Sequence, residues 1–202
     1  MARRMQACIP CHGREGRATA EGYFPRIAGK PAGYLYNQLV HFRDGRRVNA
    51  AMGYLVQHLS DDYLREIAEW FSRQELPYPP PAAVRGDAAL LARGERLVRE
   101  GDPARRLPAC AACHGEALTG MQPAMPGLLG LPPDYIAAQV GAWRSKQRRA
   151  AEPDCMAEVA LRMTGEDVAA AAAWLSAQPV PSGGRPAAAP AAPLPLRCGS
   201  LP

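Results

Sequence analysis

The sequence predicts an all-α protein built from two tandem domains. An internal repeat runs through the chain, with an offset that grows from 101 residues between Pro25 and Pro126 to 104 residues between Met52 and Met156. Apolar residues recur at helical spacing in both halves, and strand-like runs of Val, Ile and Tyr do not surround the repeated motif. A repeat of this length indicates duplicated domains rather than a solenoid.

The composition divides the 202 residues into four segments. We expect a first domain over residues 1–76, a proline-rich linker over 77–86, a second domain over 87–178 and a disordered Pro/Ala-rich tail over 179–202. Prolines make the linker an extended and fairly stiff spacer. The tail shows no hydrophobic periodicity, which favours disorder.

Periodic apolar residues predict the main helices of each half. In the first half, helices are expected over residues 34–43 and 61–74, with Ser60 as the N-cap of the second. In the second half, residues 87–100 form an amphipathic helix, and Thr164 with Asp167 fits a capping box that opens the final one. Each domain is therefore expected to be a small helical unit.

One five-residue pattern occurs once in each half, as Cys-Ile-Pro-Cys-His at residues 8–12 and Cys-Ala-Ala-Cys-His at residues 110–114. C-x-x-C-H is the attachment signature of haem c. Two thiols add across the two vinyl groups of the porphyrin, and the adjacent His reaches the iron. The sequence therefore predicts two covalently bound haem c groups, attached through Cys8, Cys11, Cys110 and Cys113, with His12 and His114 as axial ligands.

Paired cysteines have two other common uses. A redox-active C-x-x-C dithiol usually occurs as a single motif in a βαβ setting. Two C-x-x-C pairs can also bind zinc, but here they lie about a hundred residues apart and each carries the same His. Covalent haem attachment is the favoured interpretation.

Met52 and Met156 are the predicted second axial ligands of the two irons. A neutral thioether is a usual partner of His in electron-transfer haems. Met52 lies 40 residues after His12, and Met156 lies 42 residues after His114. These separations let the chain return on the far side of the haem, and each Met precedes the cap of the last helix of its half by eight residues.

Other candidate ligands fit less well. Met121 and Met125 follow His114 too closely to cross to the other face, and Met163 occupies a core position in the repeat. His41 and His58 remain alternatives to Met52 in the first domain.

Two cysteines, Cys155 and Cys198, lie outside the motifs. The thiolate of Cys155 is a weak competitor of Met156 for the iron, and the residue is otherwise interpreted as a small buried side chain. Cys198 lies in the tail and is interpreted as incidental.

Further side chains are expected around each haem. The carbonyls of Pro25 and Pro126 are predicted to accept the Nδ1 hydrogen of the haem-ligating His, which makes the imidazole a better donor to iron. The hydroxyls of Tyr34 and Tyr135 and some basic residues are candidate partners of haem propionates, with a solvated surface cluster as the open alternative. These basic residues are Arg43, Arg46, Arg47, Arg144, Lys146, Arg148 and Arg149.

Charge and hydropathy exclude some functions. The formal charge is +5, from 24 basic and 19 acidic residues, and haem propionates would lower it, so nucleic-acid binding is not expected. Docking of redox protein partners is more plausible. No apolar run is long enough for a transmembrane segment, although peripheral attachment to a membrane stays open. Haem c implies export, yet residues 1–5 are basic without a following apolar stretch.

Several segments resemble the cytochrome c4 family. They are the duplicated C-x-x-C-H-G, F-P-x-I-A-G-K, Y-L-x-x-Q-L-x-x-F-R-x-G-R and M-x-x-x-x-x-x-L-S-D, and the resemblance runs from about Cys8 to Gln178. It implies two tandem class I cytochrome c domains with the ligand pairs His12/Met52 and His114/Met156. It also implies a periplasmic electron carrier between respiratory redox partners, commonly working toward a terminal oxidase.

One element of the family pattern is lacking in the first domain. Class I domains cross an N-terminal helix over the C-terminal helix at a Gly against an aromatic residue, which Gly94 and Trp174 match in the second domain. The first domain has Trp70 but only seven residues before Cys8. We expect an apolar patch around Trp70, lower stability of this domain, and a natural chain that begins upstream with an export signal and the missing helix.

Three functions follow as hypotheses. The leading one is an electron carrier without substrate chemistry, since two axial ligands on each iron leave no open position. The alternatives are the cytochrome subunit of a dehydrogenase, such as a sulfide-oxidising flavocytochrome, and a haem peroxidase, which would need a labile axial position. The short linker further predicts that the domains pack together with their haem edges near the shared interface.

Overall fold

Helices form nearly all the regular secondary structure, which confirms the predicted all-α class. The computed structural model describes residues 1–19, 23–190 and 193–201. The helices of the first half are α1 (Ile9–His12), α2 (Ala32–Arg43), α3 (Ala50–Val56) and α4 (Asp61–Ser72). Short 3-10 helices at Arg4–Cys8 and Arg14–Gly16 flank α1.

The second half repeats this order and adds one helix before its motif. Its helices are α5 (Ala88–Arg99), α6 (Cys110–His114), α7 (Pro133–Arg144), α8 (Cys155–Arg162) and α9 (Gly165–Ala177). A 3-10 helix covers Pro103–Arg105. Between α6 and α7, strands β1 (Gly120–Met121) and β2 (Met125–Pro126) form a small antiparallel hairpin.

Local sequence signals account for where the last helices begin. Ser60 accepts a hydrogen bond from Tyr63 N at 3.3 Å, as its predicted N-cap role requires. Thr164 and Asp167 form the predicted reciprocal capping box, with distances of 3.1 and 2.7 Å. Each cap satisfies backbone N–H groups that have no partner within the helix.

Helices α5 and α9 cross at Gly94, as the family resemblance implied. A Cβ added at Gly94 would lie 2.2 Å from Ala170 O and 2.8 Å from Trp174 Cβ. Only a residue without a side chain permits this approach. The crossing therefore positions Trp174 in the core of the second domain, where it is 7% exposed.

In the first domain, the residues before the motif pack on α4. Met5 is 2% exposed and joins the core that contains Leu64 and Phe71. Trp70 is half-buried and packs edge-on against Phe71, with ring centroids 4.7 Å apart. A cavity of about 160 Å³ remains between this segment and the two aromatic rings. The predicted apolar patch around Trp70 is thus partly covered by Met5.

The two halves pack against each other about an approximate two-fold axis. Val48 N donates to Gln147 O, and Arg149 N donates to Arg46 O, each at 2.7 Å. With the 101-residue offset, each of these hydrogen bonds is the image of the other. They flank an antiparallel bridge between Arg47 and Arg148, so the interface is built from equivalent turns after α2 and α7.

The tail, for which composition predicts disorder, is tied to the rest of the molecule. Ala187 bridges to Met121, with hydrogen bonds of 2.8 and 2.9 Å to Gly120 and Gln122. Cys198 forms a disulfide with Cys155, so the interpretation of Cys198 as incidental was wrong. Composition missed these contacts because the tail uses backbone groups and one thiol rather than an apolar face. In the described chain, no helix has the length and hydropathy needed to cross a membrane.

Candidate haem-binding sites

The two motif helices hold their cysteines and histidines in the same way. α1 and α6 each end at the motif His, and the following Gly13 and Gly115 have φ of 72° and 85°. A Cβ at Gly13 would lie 2.4 Å from Ala18 O. The glycine therefore lets the chain turn directly after the His, which leaves the imidazole at the end of a short, fixed helix.

The imidazoles are oriented by the predicted prolyl carbonyls. Nδ1 of His12 lies 3.0 Å from Pro25 O, and Nδ1 of His114 lies 2.7 Å from Pro126 O. A carbonyl can only accept, so Nδ1 carries the hydrogen in both rings. The free lone pair is then on Nε2, which is the atom that a haem ligand must present.

The environment of both rings favours the neutral form that binds iron. Burial lowers the pKa of His12, opposed by the Pro25 hydrogen bond and aided by Arg47. Burial also lowers the pKa of His114, opposed by the Pro126 hydrogen bond and aided by Lys30 and Arg148. Both groups are therefore poised as ligands rather than as charged imidazolium groups.

The motif cysteines do not resemble a redox dithiol or a zinc site. Burial raises the pKa of Cys8 and Cys113, and raises that of Cys110 to about 11, whereas reactive dithiols have lowered values. Across residues 1–19, 23–190 and 193–201, no three His, Cys, Asp or Glu side chains converge as metal ligands would. Neither alternative fits the geometry.

Met52 and Met156 both lie in the first turn of the short helix that follows the interface turn. Asn49 caps α3 by accepting from Met52 N at 3.0 Å, and Asp154 caps α8 by accepting from Ala157 N at 3.0 Å. Met52 is half-buried and packs against the core that also contacts Cys8. Met156 is half-buried beside the Cys155–Cys198 disulfide. The matched positions keep both thioethers as the candidate ligands.

The competing ligands occupy other surroundings. Met163 is 8% exposed and belongs to the second core, as predicted. His58 is exposed. His41 is buried, and its pKa is lowered to about 4 by burial and by Arg46 and Arg148. His41 lies at the interdomain interface, and these surroundings favour its neutral form.

The interface concentrates cations and hydrogen-bond donors, with Arg148 buried and Arg47 half-buried. Arg47 donates to Gln38, Gln139 and Tyr135 OH at 2.9, 2.7 and 3.2 Å. Arg148 makes the equivalent bonds to Gln139, Gln38 and Tyr34 OH at 2.8, 3.0 and 3.4 Å. Within the described residues, neither guanidinium has a carboxylate partner, although a buried charge is normally paired.

These unpaired cations fit a bound haem, because haem propionates are carboxylates. Trp143 Nε1 is also buried without an acceptor among the described residues, and the Arg148 guanidinium lies 3.9 Å from the Trp143 ring centroid. A carboxylate is an acceptor that each of these groups lacks among the described residues. Two thiols and one oriented imidazole in each half, with donors for carboxylates between the halves, form the donor set that two haem c groups require.

The remaining cations that were predicted for propionates have other partners. Arg43 pairs with Asp61 at 2.7 Å, and Arg144 donates to Ala160 O at 3.0 Å and to Met163 O. Arg46 and Arg149 line an open cleft of about 400 Å³, and Lys146 is exposed. Only Arg47 and Arg148 of the predicted set are therefore placed to meet a buried carboxylate.

Two features of the sites were missed from the sequence. Lys30 is buried and contacts the second domain. The sequence signal for it was that the equivalent position of the repeat holds an apolar residue, Leu131. The signal for the Cys155–Cys198 disulfide was the presence of two cysteines outside the motifs, which are available to pair with each other.

Comparison with known proteins gives relatives that match over most of their length, of which two are described. The chain is 39% identical to a thiosulfate dehydrogenase electron acceptor of Thiomonas intermedia over 174 residues, which are 86% of this chain and 79% of the relative. It is 32% identical to cytochrome c4 of Pseudomonas aeruginosa over 170 residues, which are 83% of this chain and 82% of the relative. No protein-family model matches the chain.

A solved structure shares the arrangement of both halves. Thiosulfate dehydrogenase TsdBA of Marichromatium purpuratum superposes with a TM-score of 0.75 at 29% identity over 86% of this chain. The match spans only 36% of that longer polypeptide. The two-domain unit thus occurs as one part of a chain whose name is that of a dehydrogenase.

Proposed function

The chain belongs to the cytochrome c4 family, and we propose that it accepts electrons from a thiosulfate dehydrogenase. It is a dihaem electron-transfer protein with two covalently bound haem c groups, and its partners are redox proteins. The observation that supports this donor is the 39% identity to a thiosulfate dehydrogenase electron acceptor over most of both chains. The likeness to part of TsdBA supports the same class of donor.

Each half is proposed to ligate its haem through one His and one Met. A bound haem c supplies a one-electron ferric/ferrous couple. Cys8 and Cys11 would anchor the first group and Cys110 and Cys113 the second, with His12/Met52 and His114/Met156 as axial pairs. The support comes from the Nδ1 hydrogen bonds that fix both imidazoles and from the matched helical positions of both thioethers.

Arg47 and Arg148 are proposed to hold the haem propionates at the interface. Both guanidinium groups lack a carboxylate among the described residues, and Tyr34 and Tyr135 add hydroxyls to the same network. A crystal structure of the holoprotein tests this directly. Propionate oxygens within hydrogen-bond distance of both guanidinium groups would support the assignment, and propionates that face solvent only would contradict it.

The protein is proposed to act in the periplasm. Covalent haem attachment and the Cys155–Cys198 disulfide both suit an oxidising compartment. A terminal oxidase remains the proposed destination of the electrons, on the basis of the family resemblance. Fractionation of the producing cells tests the location: the haem-stained protein should be released with the periplasmic fraction, and recovery with cytoplasmic proteins would contradict it.

The donor is tested by reduction kinetics. Oxidised holoprotein is mixed with a catalytic amount of thiosulfate dehydrogenase and excess thiosulfate, and the ferrous absorbance is followed. We expect both haems to be reduced at a rate proportional to the enzyme concentration. Thiosulfate without enzyme, and a sulfide-oxidising flavoprotein with sulfide, serve as comparisons. Reduction by the flavoprotein system alone would overturn the proposed donor in favour of a sulfide dehydrogenase.

A further inference from the structure

Lys30 belongs to the first domain, yet its ammonium group contacts the second. The side chain is 4% exposed. Nζ donates to Gly127 O at 2.9 Å, across 97 residues of chain. The other lysine of the protein, Lys146, is exposed. Lys30 therefore carries a buried charge into the neighbouring half.

The acceptor of Lys30 lies next to the carbonyl that orients the second imidazole. Gly127 directly follows Pro126, whose carbonyl accepts from His114 Nδ1 at 2.7 Å. This loop is closely packed, since a Cβ at Gly127 would lie 2.5 Å from Thr119 O. The ammonium is thus fixed one peptide unit from the group that holds the proposed iron ligand.

The contact has no counterpart on the other side of the approximate two-fold axis. Leu131 stands at the position equivalent to Lys30, because Gly29 aligns with Gly130. In the first domain, Arg26 is the residue equivalent to Gly127 and directly follows Pro25. Its guanidinium is held by the carbonyls of Leu76 and Pro77 at 2.6 and 3.0 Å. Arg26 is as buried as Lys30, but its hydrogen bonds go to carbonyls of the linker region. The two sites therefore differ in where the buried cation is held, and only Lys30 donates to the loop that orients the imidazole.

Among the described residues, no ion pair includes Lys30, so its charge is not neutralised by these protein groups. In a medium of low dielectric constant such a charge acts over a longer range than at the surface. Burial lowers the pKa of Lys30 to about 8, opposed by Tyr34 and aided by Arg26. The group is therefore mostly protonated at pH 7.

We propose that Lys30 raises the reduction potential of the haem in the second domain relative to the first, so that a single electron on the chain resides preferentially there. Reduction lowers the charge at the iron by one, and a nearby cation stabilises the less positive state. Lys30 is a positioning residue for the electron rather than a ligand. The inference rests on the ligation of the second haem by His114 and Met156 proposed above.

The test is a redox titration of the holoprotein that resolves both potentials. The second potential is identified as the one displaced in Met156→Ala. Lys30→Met and Lys30→Gln should each lower the second potential by ~59 mV. For a one-electron couple this shift changes the equilibrium constant between the two haems about tenfold. Lys30→Gln retains a donor for Gly127 O in case the loss of the hydrogen bond impairs folding. Lys30→Arg keeps the charge, so its equilibrium constant between the two haems should stay within about twofold of the wild-type value.

Lys146→Met is the matched control, because it removes the same charge from an exposed position. It should leave the equilibrium constant between the two haems within about twofold of the wild-type value. If both uncharged Lys30 variants leave the second potential unchanged, or lower both potentials equally, the proposal for Lys30 is overturned. If Met156→Ala displaces neither potential, the proposed ligation fails and this proposal fails with it. The two failures are therefore distinguishable, and neither depends on the identity of the electron donor.

Discussion

At the scale of single residues, the two thioethers have the most specific proposed role. A Met in a helical protein usually fills the core, as Met163 does here. Met52 and Met156 instead lie half-buried in first helical turns that are capped by Asn49 and Asp154. A capped first turn fixes the backbone of each Met, so the two thioethers hold matched positions in the two halves.

Replacing either thioether should therefore affect one haem only. Met52→Ala and Met156→Ala are each expected to abolish about half of the thioether–iron band in the near infrared and to lower one of the two reduction potentials. Absorption spectra during a redox titration give both readouts. Met121→Ala serves as the control, because Met121 is 8% exposed beside Gly115 and is not a proposed ligand. Loss of the band in this control, but not in Met156→Ala, would refute the assignment.

Sequence reasoning identified residues whose role follows from local spacing or from the repeat. Pro25 and Pro126 were predicted correctly because each follows its His at a nearly constant interval. Lys30 was not predicted, since its acceptor lies 97 residues away in the other half. A contact between domains leaves no periodic signal in either partner.

At the scale of secondary-structure elements, the crossing of α5 over α9 organises the second domain. Gly94 permits the approach, and Ala170, Ala171 and Trp174 of α9 are all buried. Helical propensity does not explain a glycine at this place, because Gly weakens a helix interior by about 1 kcal/mol relative to Ala. The closer packing of the two helices offsets that cost.

Gly94→Ala should therefore destabilise the second domain by about 1–3 kcal/mol, since its Cβ would clash with Ala170 O. Gly141→Ala is the matched control: Gly141 is at an exposed position of α7, and nothing lies within 4 Å of an added Cβ. This control should be neutral or stabilising by up to about 1 kcal/mol. Denaturant unfolding of the holoproteins measures both. Equal effects of the two substitutions would contradict the crossing.

A buried carboxylate joins the same elements. The side chain of Asp167 is 0% exposed, and it pairs with Arg93 at 2.7 Å and with Arg105. Asp167→Asn should lower the free energy of unfolding by about 2–3 kcal/mol, because it leaves two partly exposed guanidinium groups with a weaker partner. Glu166→Gln is the control, since Glu166 is 80% exposed. This substitution should change the free energy of unfolding only slightly.

The Asp167 contribution should also depend on pH. Burial alone would raise the pKa of Asp167, but hydrogen bonds from Arg105, Thr164 and Arg93 outweigh it and hold the pKa well below its usual range. A depressed folded-state pKa adds stability above the unfolded value near 4, and this stability is lost as the pH falls further. The difference in stability between wild type and Asp167→Asn should therefore shrink below about pH 4. A constant difference from pH 7 to pH 3 would contradict this account.

At the scale of the whole molecule, the tail and the interface join parts that are distant in sequence. The disulfide closes a segment of 43 residues. Beyond it, Ser200 O accepts from Asn37 of the first domain at 2.9 Å, and Ser200 Oγ accepts from Ala151 N at 3.3 Å. The tail therefore contacts both halves close to the helix that carries Met156.

Removing this link should lower stability without removing haem. In the chain-entropy description, a loop of this length corresponds to roughly 4 kcal/mol, and measured effects are typically about 2–4 kcal/mol. Cys155→Ser/Cys198→Ser should therefore unfold at a lower temperature and release the tail sooner under limited proteolysis. Ser182→Ala in the exposed part of the tail is the control. An unchanged Tm together with unchanged proteolysis would show that the disulfide contributes nothing.

The global arrangement was only partly predictable from the sequence. The internal repeat indicated two helical units, and the short linker indicated that they pack together. The tail was assigned to disorder because Pro and Ala supply no amphipathic pattern, yet Ala187 and Cys198 are held by backbone hydrogen bonds and a covalent bond. Such contacts depend on tertiary positions that composition does not encode.

The central claim is that each half of this chain carries one haem held by one His and one Met. The most direct test combines the mass of the denatured holoprotein with the near-infrared spectrum of its oxidised form. The account predicts the apoprotein mass plus two haems, and a thioether–iron band with the intensity of two His/Met centres per chain. A mass gain of one haem or none, or two haems with a band of half that intensity or less, would contradict it.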